Sequence, residues 1–187
     1  MAIKEKEAEQ AVRKLLSAMD IQKEKHTDIE QTPRRVVKML MEVWEGEKYT
    51  NKEIAEMFGK TFDHNGEDMV VIRDIEAFSY CEHHLALIYN MKIDIAYIPQ
   101  GKVIGLSKIA RIADMCCKRL QLQERICSDI ADVMTYIVGE NVCVRISANH
   151  SCMTARGIKK TLSKTVTVTR RGLFKNPEIY NSFLDRR

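Results

Sequence analysis

The sequence has no apolar run approaching the ~20 residues that a membrane-crossing helix needs. Its first residues, Met-Ala-Ile-Lys-Glu-Lys-Glu-Ala-Glu, are charged and lack the apolar core of an export signal. No membrane partner is expected, and the expected location is the cytoplasm. Aromatic residues make up only 6% of the chain, which argues against an aromatic surface for RNA. A formal net charge of +4 is too modest to indicate a nucleic-acid partner. It does permit a local basic pocket for a phosphorylated small molecule. No repeat, low-complexity segment or linker divides the chain.

What is present suits one globular unit. The 187 residues suffice for a real core, and 45% hydrophobic with 30% charged residues is ordinary for such a protein. The N-terminal third reads as helices. Ala8, Val12, Leu15, Leu16 and Met19 recur at helical spacing. Thr32-Pro33 reads as an N-cap with proline at the first helical position, ahead of the stripe Val36, Val37, Leu40, Val43 and Trp44, with Gly46 placed to end the helix. Thr50 and Glu53 have capping-box spacing, and Gly59 closes that short helix. After the turn signal His64-Asn65-Gly66-Glu67 the period changes. One strand starts at Met69-Val70-Val71-Ile72 and a second is expected around Ile93–Ile98, joined near residues 82 to 92. Ser107 can cap a helix through Leu120, and a second helical stretch runs from Leu122 to Gly139. Asn141–Ser147 and Thr165–Thr169 read as two more strands, and Asn176-Pro177 starts a short terminal helix. The expected order is three helices, ββααββ and a last helix: an α+β fold. Residues 1–60 form a helical extension and residues 61–187 the core, as one structural unit.

Six cysteines without an export signal favour metal ligation or burial over disulfides. The run Ser79-Tyr-Cys-Glu-His-His-Leu-Ala86 crowds a thiol, a carboxylate and two imidazoles together. Cys81 and His84 have Cys-x-x-His spacing, which lets both bind one metal only if the chain turns there. His150-Ser151-Cys152 is the other cluster, and on a strand His150 and Cys152 would share a face. Cys81, His84 and Cys152 together make three zinc ligands and leave a position for water. Such a water has a pKa of about 7. His83 and His150 are then free to carry protons. On spacing alone, two unrelated polar turns with one buried cysteine stay an open alternative. Lys108 and Arg111 follow Ser107 at a helix start, a good seat for phosphate. Arg156, Lys159 and Lys160 follow the second cluster, and most such lysines are solvated surface. Gln123-Glu124 is either a polar pair at a helix start or a hydrogen-bonding pair for a base edge. Cys116, Cys117, Cys127 and Cys143 read as small core residues. His26 and His64 lie in polar loops and carry no functional reading.

Taken together, several ordered motifs resemble the GTP cyclohydrolase I family. They are Cys81-Glu82-His83-His84-Leu85, Ala96-Tyr97-Ile98-Pro99, Val103-Ile104-Gly105-Leu106-Ser107-Lys108, Gln121-Leu122-Gln123-Glu124-Arg125, His150-Ser151-Cys152-Met153, Ala155-Arg156-Gly157, Thr165-Val166-Thr167 and Gly172-Leu173-Phe174. The resemblance implies the tunnelling fold and a homodecamer of two pentamers with sites between subunits. It implies conversion of GTP and water to 7,8-dihydroneopterin triphosphate and formate, the first step of tetrahydrofolate and pterin biosynthesis. Carried over by position, Cys81, His84 and Cys152 bind Zn2+, which supplies an activated water for attack at C8 of the purine. His83 and His150 move protons during ring opening and deformylation, and Ser107 assists the later rearrangement. Lys108, Arg111 and Arg156 hold the triphosphate, while Gln123 and Glu124 contact the guanine.

The chain departs from the family pattern at Ala86-Leu87-Ile88-Tyr89-Asn90-Met91, one residue longer than in some members, and at Asp94, where many have histidine. These changes bear on hairpin geometry and local packing, not on the ligands. Other tunnelling-fold enzymes act on pterins or deazapurines with three histidines on zinc, or with a catalytic cysteine and nicotinamide. The Cys-x-x-His plus Cys pattern fits neither. A structural-zinc module that binds RNA or protein would want a fourth strong ligand, and no further cysteine has suitable spacing.

Overall fold

The computed structural model describes residues 4–21 and 28–185, so His26 lies outside the described residues. Three helices come first: α1 (Glu5–Ala18), α2 (Thr32–Val43) and α3 (Asn51–Phe58). The α3 start is a capping box, in which Thr50 Oγ1 accepts from the Glu53 N–H and the Glu53 carboxylate accepts from the Thr50 N–H. At α2 the cap is Gln31, one residue before the expected Thr32, and proline sits within the first turn. Gly46 does not end α2, which stops at Val43. It lies in a short 3-10 turn, where a Cβ would come within 2.2 Å of the Met115 carbonyl oxygen. Glycine is required there by close approach of two backbones.

The strands are β1 (Thr61–Asp63), β2 (Val70–Cys81), β3 (Ala86–Tyr97), β4 (Lys102–Ile104), β5 (Leu120–Gln121), β6 (Val142–His150) and β7 (Thr165–Arg170). The remaining helices are α4 (Leu106–Cys117), α5 (Gln123–Val138), α6 (Ser151–Thr154) and α7 (Pro177–Asp185). The main sheet has the order β5-β2-β3-β6-β7, and β1 pairs with β4 in a two-stranded sheet. The ββααββ order is therefore present as β2β3, α4α5, β6β7, with short elements inserted that the pattern did not reveal.

The β2–β3 connection is far tighter than expected. Residues 82–85 form the turn, and the atypical stretch from Ala86 is already strand. Its additional residue is taken up by bulges. The register slips between Ala77 and Ser79 opposite β3, and between Tyr89 and Lys92 opposite β6. Asn90 sits there with φ 49°, a left-handed conformation that asparagine tolerates well.

Helices α4 and α5 cover one face of the sheet. Ile93, Ile95, Val144 and Ile146 meet Ile109, Ile112, Ile126 and Ile130, and all are fully buried. Each such isoleucine contributes about 1.5–3 kcal/mol by leaving water. The other face carries a smaller core of Ala96, Cys143, Phe174 and Phe183, closed by α7. Asp94 lies on this second face, where its Oδ2 accepts from Arg73 and Arg145, each at 3.2 Å. Arg73 also stacks on the Phe183 ring at 4.7 Å and donates to the Phe183 carbonyl. The departure at Asp94 thus serves packing of the C-terminal helix. Cys116, Cys117, Cys127 and Cys143 are all buried, and burial pushes the Cys116 and Cys143 thiols up to about 12. No described helix is long and apolar enough to cross a membrane.

Candidate metal centre and active site

The two expected clusters meet at one end of the sheet. Cys81 ends β2 and is buried, His84 lies in the following turn, and Cys152 is the second residue of α6. Their ligand atoms all lie within 4.8 Å of one another. The turn that Cys-x-x-His ligation requires is closed by a hydrogen bond from the His84 N–H to the Cys81 carbonyl, and Leu85 leaves it with φ 50°. The second cluster is built differently from the expectation. Strand β6 ends at His150, so His150 and Cys152 do not share a strand face. The chain turns into α6 at Ser151, whose Oγ donates to the Leu87 carbonyl of β3 at 2.8 Å. Cys152 is carried toward Cys81 by that helical turn.

The donor set suits a soft or borderline divalent metal: two thiols and one imidazole. Burial pushes the Cys152 thiol up, with the adjacent Cys81 thiol as the next cause. A cation among these atoms removes that penalty and favours the thiolates.

His83 is exposed and its ring stands edge-on to that of His84, 6.3 Å between centroids. His150 is half-buried. Burial holds its pKa below the usual imidazole value, with Glu124 pulling the other way. Gln123 is the first residue of α5 and only 1% exposed. Its Oε1 lies 2.8 Å from His150 Nε2. Its amide nitrogen faces Ile146 O at 3.2 Å, Thr165 O at 3.1 Å and Thr167 Oγ1 at 3.2 Å. Glu124, the next residue, is exposed. Arg156 Nη1 donates to His84 Nε2 at 2.9 Å, which places this cation beside the metal cluster.

Three expected residues do not join this group within one chain. Ser107, Lys108 and Arg111 lie at the start of α4, whose far end leads into β5 beside Cys81. With a rise of about 1.5 Å per residue, Ser107 is about 15 Å along the axis from Cys117. Ser107 is also not the cap: Gly105 is, and Ser107 is the second helical residue.

Sequence reading missed a polar scaffold behind the turn. The Glu82 N–H donates to the Gln121 carbonyl at 3.1 Å, and the Glu82 carboxylate pairs with Arg125 at 2.7 Å. That Arg125 hydrogen bond, followed by the charge itself, holds the Glu82 carboxyl below its ordinary value. Gln121 also donates to Asp129 at 2.7 Å, and Asp129 pairs with Arg119 at 2.9 Å. Arg125 and Asp129, four residues apart on α5, share a helix face and are the part of this scaffold visible in the sequence, whereas Gln121 lies in β5 and only the fold brings it to them.

Comparison with known proteins agrees with this geometry. Residues 8–186 match a family model described as GTP cyclohydrolase I. The chain is 53% identical to GTP cyclohydrolase 1 of Clostridium botulinum strain Loch Maree over 98% of this chain and 97% of the relative. It is 53% identical to GTP cyclohydrolase 1 of Ruminiclostridium cellulolyticum, over 94% of this chain and 93% of the relative. The Clostridium acetobutylicum GTP cyclohydrolase 1 is 47% identical over 95% of this chain and 94% of its own length. Matched along nearly its whole length, this chain belongs to the GTP cyclohydrolase I family.

Proposed function

We propose that this protein converts GTP and water to 7,8-dihydroneopterin triphosphate and formate, as a hydrolase acting on a cyclic amidine C–N bond. The observation that carries the reading is the convergence of Cys81, His84 and Cys152, with His83 and His150 left off the cluster. Those three residues would hold Zn2+, which when bound supplies a water acidic enough to react at neutral pH. His83, exposed beside His84, and His150, half-buried and favoured neutral, are suited to give and take protons as the imidazole ring of GTP opens and formate leaves. The exposed Glu124 carboxylate is suited to accept from guanine N–H groups, and Gln123 belongs to the same helix start. Arg156, whose guanidinium donates to His84 at 2.9 Å, is suited to hold a phosphate close to the reacting base.

Lys108 and Arg111 complete the triphosphate site, and Ser107 assists the later rearrangement, in a site made between subunits. Their distance from the metal cluster within one chain supports that arrangement. So do the apolar side chains left uncovered, Leu15 on α1, Met19 just after it, and Val166 and Val168 on the edge strand β7. The assembly proposed is a homodecamer of two pentamers, in the tunnelling fold, with residues 1–60 as a helical extension of the 61–187 core. Ile54 of α3 lies in the main core, which supports treating the two as one unit. Place of action is the cytoplasm.

The test is incubation of the purified, zinc-loaded oligomer with GTP, measuring formate and, after oxidation, a fluorescent pterin. Absence of both products from metal-loaded protein would overturn the reading.

A further inference from the structure

The side chain of Gln123 has a fixed sense. Its amide carries two hydrogens, and the three acceptors around them include the backbone carbonyls of Ile146 and Thr165. Carbonyls only accept. Turning the amide over would set its oxygen against those carbonyl oxygens, with no donor between them. The amide oxygen therefore faces His150 Nε2, at 2.8 Å. An acceptor at that position requires the hydrogen of the neutral ring to sit on Nε2. The lone pair is then on Nδ1. That atom has no hydrogen-bond partner among the described residues and is not among their sealed, unpaired polar atoms.

We infer that Gln123 is a positioning residue that holds His150 as the Nε2–H tautomer and so makes Nδ1 the atom that accepts a proton. This inference rests on the reading of His150 as a proton carrier in the proposed reaction. The proton arrives from the reacting water or substrate, forms an N–H bond at Nδ1, and is later returned. No other bond at His150 changes. The Nε2–H bond to Gln123 persists through both states, so the ring need not rotate between them. This role differs from a contact to guanine. With its amide nitrogen fully engaged and 1% exposure, the Gln123 side chain has no hydrogen bond to offer an incoming base. Base recognition at this helix start then falls to Glu124, which is exposed.

Solid-state NMR of zinc-loaded protein labelled with 15N-histidine reads the tautomer directly, at a pH where the ring is neutral. The chain has five histidines, and a His150→Gln sample assigns the relevant signals. The expected spectrum has Nε2 protonated and Nδ1 unprotonated. Gln123→Leu is expected to lose the single tautomer and to lower kcat about 10- to 100-fold. KM for GTP should stay within about threefold, since no substrate contact is removed. An Nδ1–H tautomer in the wild type overturns the inference. So does Gln123→Leu with unchanged kcat and raised KM, which would make Gln123 a substrate contact. The wild-type spectrum decides the tautomer even if the leucine variant fails to fold. A wild type with the Nε2–H tautomer that releases no formate from GTP overturns the proposed reaction and supports the tautomer assignment.

Discussion

Replacing Arg119 by methionine removes a guanidinium that is 11% exposed and gathers three segments to one point. It donates to Tyr49 O at 2.7 Å, Asn51 Oδ1 at 2.8 Å, Asp129 Oδ2 at 2.9 Å and Gly46 O at 3.2 Å. Removing one partner of a buried ion pair costs about 3–5 kcal/mol, because the other charge stays buried. Asp129 is 15% exposed, and it keeps donors from Gln121 at 2.7 Å and Asn51 at 3.1 Å, which offsets part of that loss. The expected net cost is about 3 kcal/mol. For a chain of this size each kcal/mol lowers Tm by about 2–4 °C, so the shift should be about 6–12 °C. Thermal unfolding by circular dichroism, at fixed protein and metal concentration, measures it. The damage should also reach the metal cluster. Gln121 bonds both Asp129 and the Glu82 N–H of the ligand turn, so metal affinity should fall about tenfold, as when an outer partner is lost. Arg119→Met with Asp129→Leu should recover part of the stability, since no buried carboxylate is then left unpaired. A shift below about 2 °C for the single variant, or a double variant no better than the single, would refute this account.

Contacts elsewhere in the molecule give three further outcomes. Cys152→Ala should lose the metal, whereas His83→Ala should keep it while turnover collapses. Metal content by atomic emission checks both, and loss of metal from His83→Ala would mean that ligands and proton carriers are wrongly divided. Asp94→Leu leaves Arg73 and Arg145 without their shared carboxylate, and should cost about 1.5–3 kcal/mol. Hydrogen exchange should rise first in α7, which Arg73 joins to the sheet through Phe183. The Glu53 carboxyl is held below its ordinary value of 4.5 by the Thr50 N–H and then the Thr50 hydroxyl. Its contribution is therefore full above that value and is lost as pH falls through the lower folded-state value. Hydrogen exchange in α3 should differ between wild type and Glu53→Ala near neutral pH, and the difference should vanish in acid.

Much of the fold is legible from local pattern. The capping box at Thr50 and Glu53, the glycine after α5 at φ 96°, and the terminal helix from Pro177 all lie where local rules put them. These features depend on residues within one turn or strand of each other, which a linear reading can see. The hairpin is tighter than the pattern suggests because period alone does not show how a strand absorbs an extra residue. Asn90 and its bulge keep Ala86–Tyr97 a single strand.

The sequence by itself determined the chemical parts: two thiols, three imidazoles and several cations in ordered motifs, and hence the family. Only the tertiary structure decided their partnerships. It brought Cys152 to Cys81 and His84, set Gln123 against His150, and kept Lys108 and Arg111 at the far end of α4. The reason is geometric. Which side chains meet depends on strand register, bulges and helix length acting over many tens of residues, and a spacing of two or three residues carries none of that information.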